Sequence, residues 1–492
     1  VDHTVNRILS FKPANILEIG CGTGLLLFKI ASRCQKYTGL DFSSRVLNKT
    51  KEIVKAKNLN NVELLCQEAH NFENIDTNLY DVIIINSVIQ YFPGSDYLLT
   101  VIEKAIQVLK PGGKIFIGDV RSRELLNIFS MSVEIERTKN ISDTAELRKL
   151  ADKRVSEEEE LLFDPQFFYL LKNKIRNISN VEVKLKRGKY LNELTKYRYD
   201  VILHIGEKND EIDIKEWIDY SDRNLKVSEI ETALQKKDQP IFAIKNIPNS
   251  RLYNEVKLFN LISETKNKVP LTEALLSIEN VGKDHGVDPE LLYDLGEKYC
   301  SKVLLTWSSD GKIDHFDAVF LKNDINNLIN LISPVLKNHN IKAYTNNPLI
   351  PKFKRTLVPS LKELLTGRLP DYMIPSVFML MDEMPLTSNG KIDRKSLPSP
   401  DISRISLSEK YTPPRNELEK QLTEIWQKVL RVKNISVYDN FFELGGHSLL
   451  VVQLFKQIEV QIKVELSIAL IFECPTINQL AEKIIEILKS QE

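Results

Sequence analysis

Cysteine is scarce in this chain. Its 492 residues hold five, Cys21, Cys34, Cys66, Cys300 and Cys474. No pair has metal-ligand spacing, and an odd, scattered set argues against a disulfide framework. An excess of charge of either sign is also missing. The 67 basic and 67 acidic side chains leave no overall field to attract nucleic acid or an anionic membrane. No apolar run is long enough to span a bilayer, and the N-terminal residues lack a signal-peptide pattern. Glycine is sparse as well, at 18 residues, clustered at 20–24, 112–113 and 445–446, and no Ser/Thr/Gly-rich ATP loop is present. The simplest expectation is a cytoplasmic multidomain protein without nucleic-acid or membrane partners. The chain starts at Val1, close to its first strand, as a segment of a longer protein would. Its acidic run, Glu157 to Glu160, is expected to be a solvated helix face.

What is present begins as alternation. Strand patterns start at Asn15, Tyr37, Val62, Tyr80 and Lys114, with helical spacing between them. This predicts a parallel sheet covered by helices. Two further strands start at Val181 and Tyr197, after a helical insertion at about 121–178. Such an insertion would lie near the carboxyl edge of the sheet, where ligands bind in open α/β folds. Residues 1–210 are thus expected to form one α/β domain, and 211–352 an accessory mixed region with a hairpin at Asp310-Gly311. A small α+β piece over 353–398, a linker over 399–414 and an all-helical domain over 415–492 complete the expected order.

The first chemical motif is LEIGCGTG, Leu17 to Gly24. A buried strand ends at Ile19, and three glycines turn the chain into a helix while leaving the backbone open to a ligand. The spacing is G-x-G-x-G rather than the G-x-G-x-x-G of dinucleotide sites, which argues against a nicotinamide oxidoreductase. Asp41 ends the next strand and could accept two ribose hydroxyls. Glu68 and Ala69, after the third strand, fall where an adenine would lie. A tight turn without a ligand is the plain alternative. This constellation resembles the S-adenosylmethionine-dependent methyltransferases of the seven-strand Rossmann-like class. The resemblance implies a cofactor site that includes Glu18, Gly20, Cys21, Gly22 and Gly24, with Asp41 on the ribose.

Four more stretches narrow the resemblance: NSVIQYFPGSDYLL from Asn86, KPGGKIFIGDVRS from Lys110, LLFDPQFF from Leu161 and KRGKYLNELTKYRYDV from Lys186. In this order they resemble the methyltransferase domains embedded in nonribosomal peptide synthetases, which usually methylate an amino acid nitrogen. The family's domain has helical sequence before the point at which this chain begins, so part of the substrate cover is expected outside it. Methyl transfer to an α-amine, with an unperturbed pKa of about 8, needs positioning more than a strong base. The candidates are Asn86, Gln90 and Tyr91 after the fourth strand, Arg121 after the fifth, and Asn192, Glu193 and Arg198 between the last two. Glu193 could take an amine proton or orient the ammonium. Structural packing or pairing is the alternative for Tyr91 and Arg198. Carbon methylation would need a true base, and neither His70 nor His204 is an obvious one.

SNGKIDRKSLP around Lys391 and LPDYMIP from Leu369 resemble the last two motifs of an adenylation domain. That resemblance implies a lysine serving as mobile counter-charge to anionic oxygens. With no phosphate loop or amino-acid pocket in the chain, Lys391 is the remnant of a site lying upstream, and no adenylation activity is expected. DNFFELGGHSLL, Asp439 to Leu450, places Ser448 before an apolar helix. His447, its neighbour, points in another direction on a helix, and the stretch is not G-x-S-x-G, so a hydrolase nucleophile is disfavoured. A helix cap fits the residues. The segment also resembles the attachment site of a peptidyl carrier protein, which implies phosphopantetheine on Ser448. Implied partners are upstream adenylation and condensation domains, a phosphopantetheinyl transferase and an aminoacyl substrate. The alternatives are carbon or oxygen methylation of a carrier-bound acyl group, or an inactive fold acting as a carrier and docking module.

Overall fold

The computed structural model describes residues 1–138, 141–206, 211–214, 216–223, 225–236, 240–264, 268–279, 286–300, 302–321, 328–330, 340–370, 373–375, 378–381, 384–387, 390–397, 412–430, 432, 435–442, 444, 446 and 448–491. The chain forms two compact units, Val1–Lys352 and Phe353–Glu492. Most of the expected linker lies outside the described residues, as do Asp371, Tyr372, Asn389, Gly445 and His447 of the motifs.

The first unit is built on seven strands: β1 (Asn15–Ile19), β2 (Lys36–Asp41), β3 (Val62–Cys66), β4 (Tyr80–Asn86), β5 (Leu109–Arg121), β6 (Ile178–Leu185) and β7 (Arg198–Ile205). Their order is β3-β2-β1-β4-β5-β7-β6. The first five run parallel, as the alternation predicts. β7 lies antiparallel to both neighbours. The chain returns from β6 through residues 186–197, whose one helix, Glu193–Tyr197, is too short to cross the sheet and bring β7 in parallel.

Side chains alternate between two cores. Ile83, Ile85, Ile115, Ile117, Val201 and Leu203 face one side, against Leu98, Val101, Ile102 and Ala105 of the helix Ser95–Val108. Val82, Ile84, Phe116 and Ile202 face the other, with Val5 and Ile8 of the helix Asp2–Leu9. Burial on both faces explains why these strands are apolar throughout.

Between β5 and β6 lie the helices Leu126–Arg137, Thr144–Ser156 and Pro165–Lys174. Asp143 and Asp164 cap the latter two, accepting from Glu146 N–H at 2.9 Å and Gln166 N–H at 2.8 Å. The acidic run is not a solvated helix face. Its helix ends at Ser156, and Glu158 and Glu160 turn back to pair with Arg121 at 2.9 and 2.8 Å. A buried guanidinium needs anionic partners, and these carboxylates supply them.

Beyond residue 210, a second sheet has the order Lys302–Trp307, His315–Leu321, Ile241–Pro248, Ile218–Asp219. Its hairpin turns through Asp310 and Gly311, with Gly311 at φ +74°. In the second unit, the helices Glu417–Leu430, Ser448–Ile462 and Ile477–Gln491 enclose Trp426, Phe441, Leu454, Ile458, Leu480 and Ile484. No helix among the described residues is long and apolar enough to cross a membrane.

Candidate active site and carrier attachment site

The glycine turn leaves β1 with Gly20 at φ +76°, Gly22 at +51° and Gly24 at +81°. All three lie in the left-handed region that an L side chain resists. Close packing fixes two of them. A Cβ on Gly20 would fall 2.4 Å from Val88, and one on Gly24 would fall 2.5 Å from Phe28. A Cβ on Gly22 would meet nothing within 4 Å, so the turn presents open space there. The Gly22 N–H donates to Asp41 Oδ2 at 2.9 Å, and Ser43 N–H donates to Oδ1 at 2.9 Å. These bonds hold the Asp41 carboxylate beside the turn. Glu18 is buried below it and accepts from the Tyr37 hydroxyl at 2.7 Å. Burial, reinforced by the Asp41 charge, raises its carboxyl to about 7. Burial likewise pushes the Cys21 thiol up, with Glu18 and Asp41 adding to the shift, so Cys21 serves as a small apolar filler. Glu68 and Ala69 follow β3. Glu68 lies 3.3 Å from His70 Nδ1, and Ala69 packs against the core.

Beyond the turn, a cavity of about 540 Å³ is lined by Leu25, Leu26, Asn86, Ser87, Asp119, Lys186, Asn192 and Asp200, with the N-terminal helix as one wall. It joins two of the expected residues, Asn86 and Asn192. The charged groups beside them carry no local sequence signal. Lys186 Nζ lies 2.6 Å from Asp119 Oδ1 and 2.8 Å from Asp200 Oδ1, and Arg7 reaches Asp200 Oδ2 at 2.5 Å. Asp119 Oδ2 accepts from the Ser87 hydroxyl at 2.6 Å and Asn86 Nδ2 at 3.0 Å. Burial alone would raise the Asp119 carboxyl, but Lys186, Ser87 and Asn86 outweigh it and hold it below the usual range. Burial opposes the Lys186 charge too, and Asp200 and Asp119 reverse the effect.

A local irregularity aims Asp119. The β5–β7 register shifts between Ile117 and Val120, and Asp119 takes φ +58°, as a bulge residue does. Its N–H then donates to Asp200 Oδ1 at 3.1 Å. Gly118 has to be glycine, because a Cβ there would sit 2.0 Å from Asn86 Oδ1.

The other expected residues are placed differently. Arg121 is buried under its two glutamates, 5.2 Å from the Phe129 ring centroid. The Gln90 carbonyl accepts from Leu161 N–H at 2.7 Å, so Gln90 and Arg121 pin the same segment. Gln90 Oε1 is buried without a hydrogen-bond partner among the described residues. Tyr91 is 72% exposed. Asn192 caps the short helix Glu193–Tyr197, accepting from Thr195 N–H at 3.2 Å. Glu193 accepts from Arg198 Nε at 3.1 Å, and both Asn192 and Glu193 border a second cavity of about 350 Å³. His204 is spent on Glu182 at 3.0 Å.

In the second unit, Lys391 is exposed on a turn closed by Thr387 N–H to Lys391 O at 2.7 Å, with Gly390 at φ +74°. Ser448 is the first residue of its helix. The loop before it is tied down by Phe441 N–H to Pro475 O at 2.8 Å and Gly446 N–H to Phe441 O at 2.9 Å. A Cβ on Gly446 would strike the Phe441 ring at 2.2 Å. That contact requires a glycine two residues before the serine.

Comparison with known proteins fits these two sites. Residues 10–161 match the methyltransferase domain family, and residues 420–484, which include Ser448, match the phosphopantetheine attachment site family. Across 98% of its length the chain is 38% identical to chondramide synthase cmdD of Chondromyces crocatus. Across 97% it is 31% identical to a probable non-canonical nonribosomal peptide synthetase, CymA, of Salinispora arenicola. It is also 30% identical to the nonribosomal peptide synthetase asqK of Emericella nidulans across 97%. The chain spans 12%, 6% and 19% of the lengths of these relatives.

Proposed function

For this chain, a nonribosomal peptide synthetase segment with an S-adenosylmethionine-dependent methyltransferase domain and a phosphopantetheine carrier domain, we propose methyl transfer to the α-amine of an aminoacyl thioester held on Ser448. S-adenosylmethionine, when bound, supplies an electrophilic methyl on a sulfonium. Gly20, Gly22 and Gly24 would hold its methionine part, Asp41 the ribose, and Glu68 and Ala69 the adenine.

The observation that carries the reading is an ionised carboxylate, Asp119, on the wall of a cavity that adjoins the glycine turn through Leu25 and Leu26. Methyl transfer to an amine would leave positive charge on the substrate nitrogen, beside Asp119. The Asp119 carboxylate, which shares Lys186 with Asp200, would favour that charge. Carbon methylation instead develops negative charge on the substrate and needs a strong base, and a carboxylate held below its usual range is a poor one. Asn86 and Asn192, which line the same cavity, are proposed to orient the acyl group. Gln90 and Arg121 would keep the cover segment in place, while Tyr91, Glu193 and Arg198 are proposed to border the acyl entry. Lys391 would act only with an adenylation core supplied upstream. The linker would let the carrier present its arm at high effective concentration. Upstream adenylation and condensation domains and a phosphopantetheinyl transferase are the proposed partners.

The test is intact-mass measurement after loading Ser448 with an aminoacyl-phosphopantetheine arm and adding S-adenosylmethionine. A gain of one methyl, absent in Ser448→Ala, is expected. Loading without methyl transfer would overturn the reading.

A further inference from the structure

The wall that carries Asn192 lies between β6 and β7, and its single helical turn spans only Glu193–Tyr197. What fixes its shape comes from the accessory region. Arg251, 2% exposed, follows the strand Ile241–Pro248 and precedes the helix Tyr253–Glu264. Its guanidinium donates to the carbonyls of Lys186 at 2.8 Å and Gly188 at 2.9 Å, and at longer reach to that of Thr195 at 3.5 Å. One planar group therefore holds both the entry and the exit of the wall. Asp288 balances its charge, accepting from Nε at 2.9 Å. Glu290 reinforces the grip, its Oε2 accepting from Gly188 N–H at 2.8 Å and its Oε1 from Arg187 at 2.7 Å. The Tyr293 hydroxyl donates to the Leu185 carbonyl at 3.1 Å.

We infer that Arg251 is a positioning residue for methyl transfer, and that the accessory region acts through it as the clamp of the acceptor wall. Backbone carbonyls withdrawn from water need donors, and a planar fork with five N–H groups reaches three of them from one side chain. Arg251 is not among the residues lining the 540 Å³ cavity, so its effect passes through Lys186 and the wall that holds Asn192. The inference rests on the methyl-transfer reading for its catalytic consequence, though not for the clamp itself.

The test uses the full chain and compares Arg251→Met with Arg251→Lys. Hydrogen exchange should quicken by about tenfold or more over residues 186–195 in the Met variant, and several-fold in the Lys variant, while β4 stays protected. With an aminoacyl thioester of pantetheine added in trans, kcat should fall about tenfold or more, while the Kd for S-adenosylmethionine stays within about twofold. Unchanged exchange over 186–195, or loss of donor affinity together with transfer, would overturn the inference. If the Met variant does not fold, the Lys variant decides by the same criteria. If the unsubstituted chain transfers no methyl, the functional reading falls, and the exchange comparison still decides the clamp.

Discussion

The glycine turn proposed to hold the donor and the charged wall proposed to face the acceptor sit at neighbouring strand ends but are built in opposite ways. The turn is backbone: three glycines in left-handed conformations and one carboxylate, with Gly22 and Asp41 only 19 residues apart. The wall is charge. Arg7 and Asp200 meet across 193 residues, and Asp119 and Asp200 across 81. A donor can be gripped by a local turn that any fold of this class can form. A wall made from buried ions depends on the whole unit being folded correctly, because each ion is costly without its partner.

Substitutions should separate the two halves. The largest effect is expected from Asp119→Ala, which leaves Lys186 buried beside Asp200 alone. Urea unfolding of the first unit should show a loss of about 4 kcal/mol, with methyl transfer abolished and donor affinity nearly unchanged. Loss of donor binding in the folded variant would erase the division. Next comes Glu18, the buried acid of the donor half. Its folded pKa, raised from 4.5 to about 7, means that the native state keeps a proton the unfolded chain releases. Stability should therefore fall as pH rises from about 4.5 to about 7 and level off above, by up to about 3 kcal/mol. Glu18→Gln should be the more stable protein near pH 8 and nearly equal near pH 5. Unfolding titrations at both values check this. Gly20→Ala forces a left-handed alanine against Val88, at a cost of about 2 kcal/mol. Calorimetry should show S-adenosylmethionine affinity about thirtyfold weaker, with the Asp119 network intact. The smallest effect is expected from Glu193→Gln. Glu193 is the exposed member of its pair with Arg198, so stability should change by less than about 1 kcal/mol. A larger loss by the same urea titration would place Glu193 in the buried network.

These contrasts mirror what the sequence made legible. The seven strands, the turn and Asp41 stood out because strand periodicity and glycine spacing are local signals. Asp119 and Lys186 lie inside the motifs KPGGKIFIGDVRS and KRGKYLNELTKYRYDV. Nothing within a few residues distinguishes them from surface charges, since they pair with each other, with Asp200 of β7 and with Asn86 and Ser87 at the end of β4. Asp200 was hidden in an apolar strand pattern, and a bulge at Gly118-Asp119 is invisible to alternation alone. The acidic run misled for the same reason, since Arg121, which draws Glu158 and Glu160 inward, lies nearly forty residues earlier (|i−j| of 37 and 39). The reversal of β7 follows from connection length, which the strand patterns did not weigh. In the second unit, Ser448 was legible because its glycines and helix start are adjacent to it.

The most direct test of the account is where the methyl lands. Ser448 would be loaded in parallel with arms bearing an α-amino acid and its α-hydroxy counterpart, each then given S-adenosylmethionine, and the ejected arms fragmented by tandem mass spectrometry. The account predicts one methyl on the α-nitrogen and none on the hydroxy acid. A methyl on the α-carbon, or equal methylation of the hydroxy acid, would contradict it.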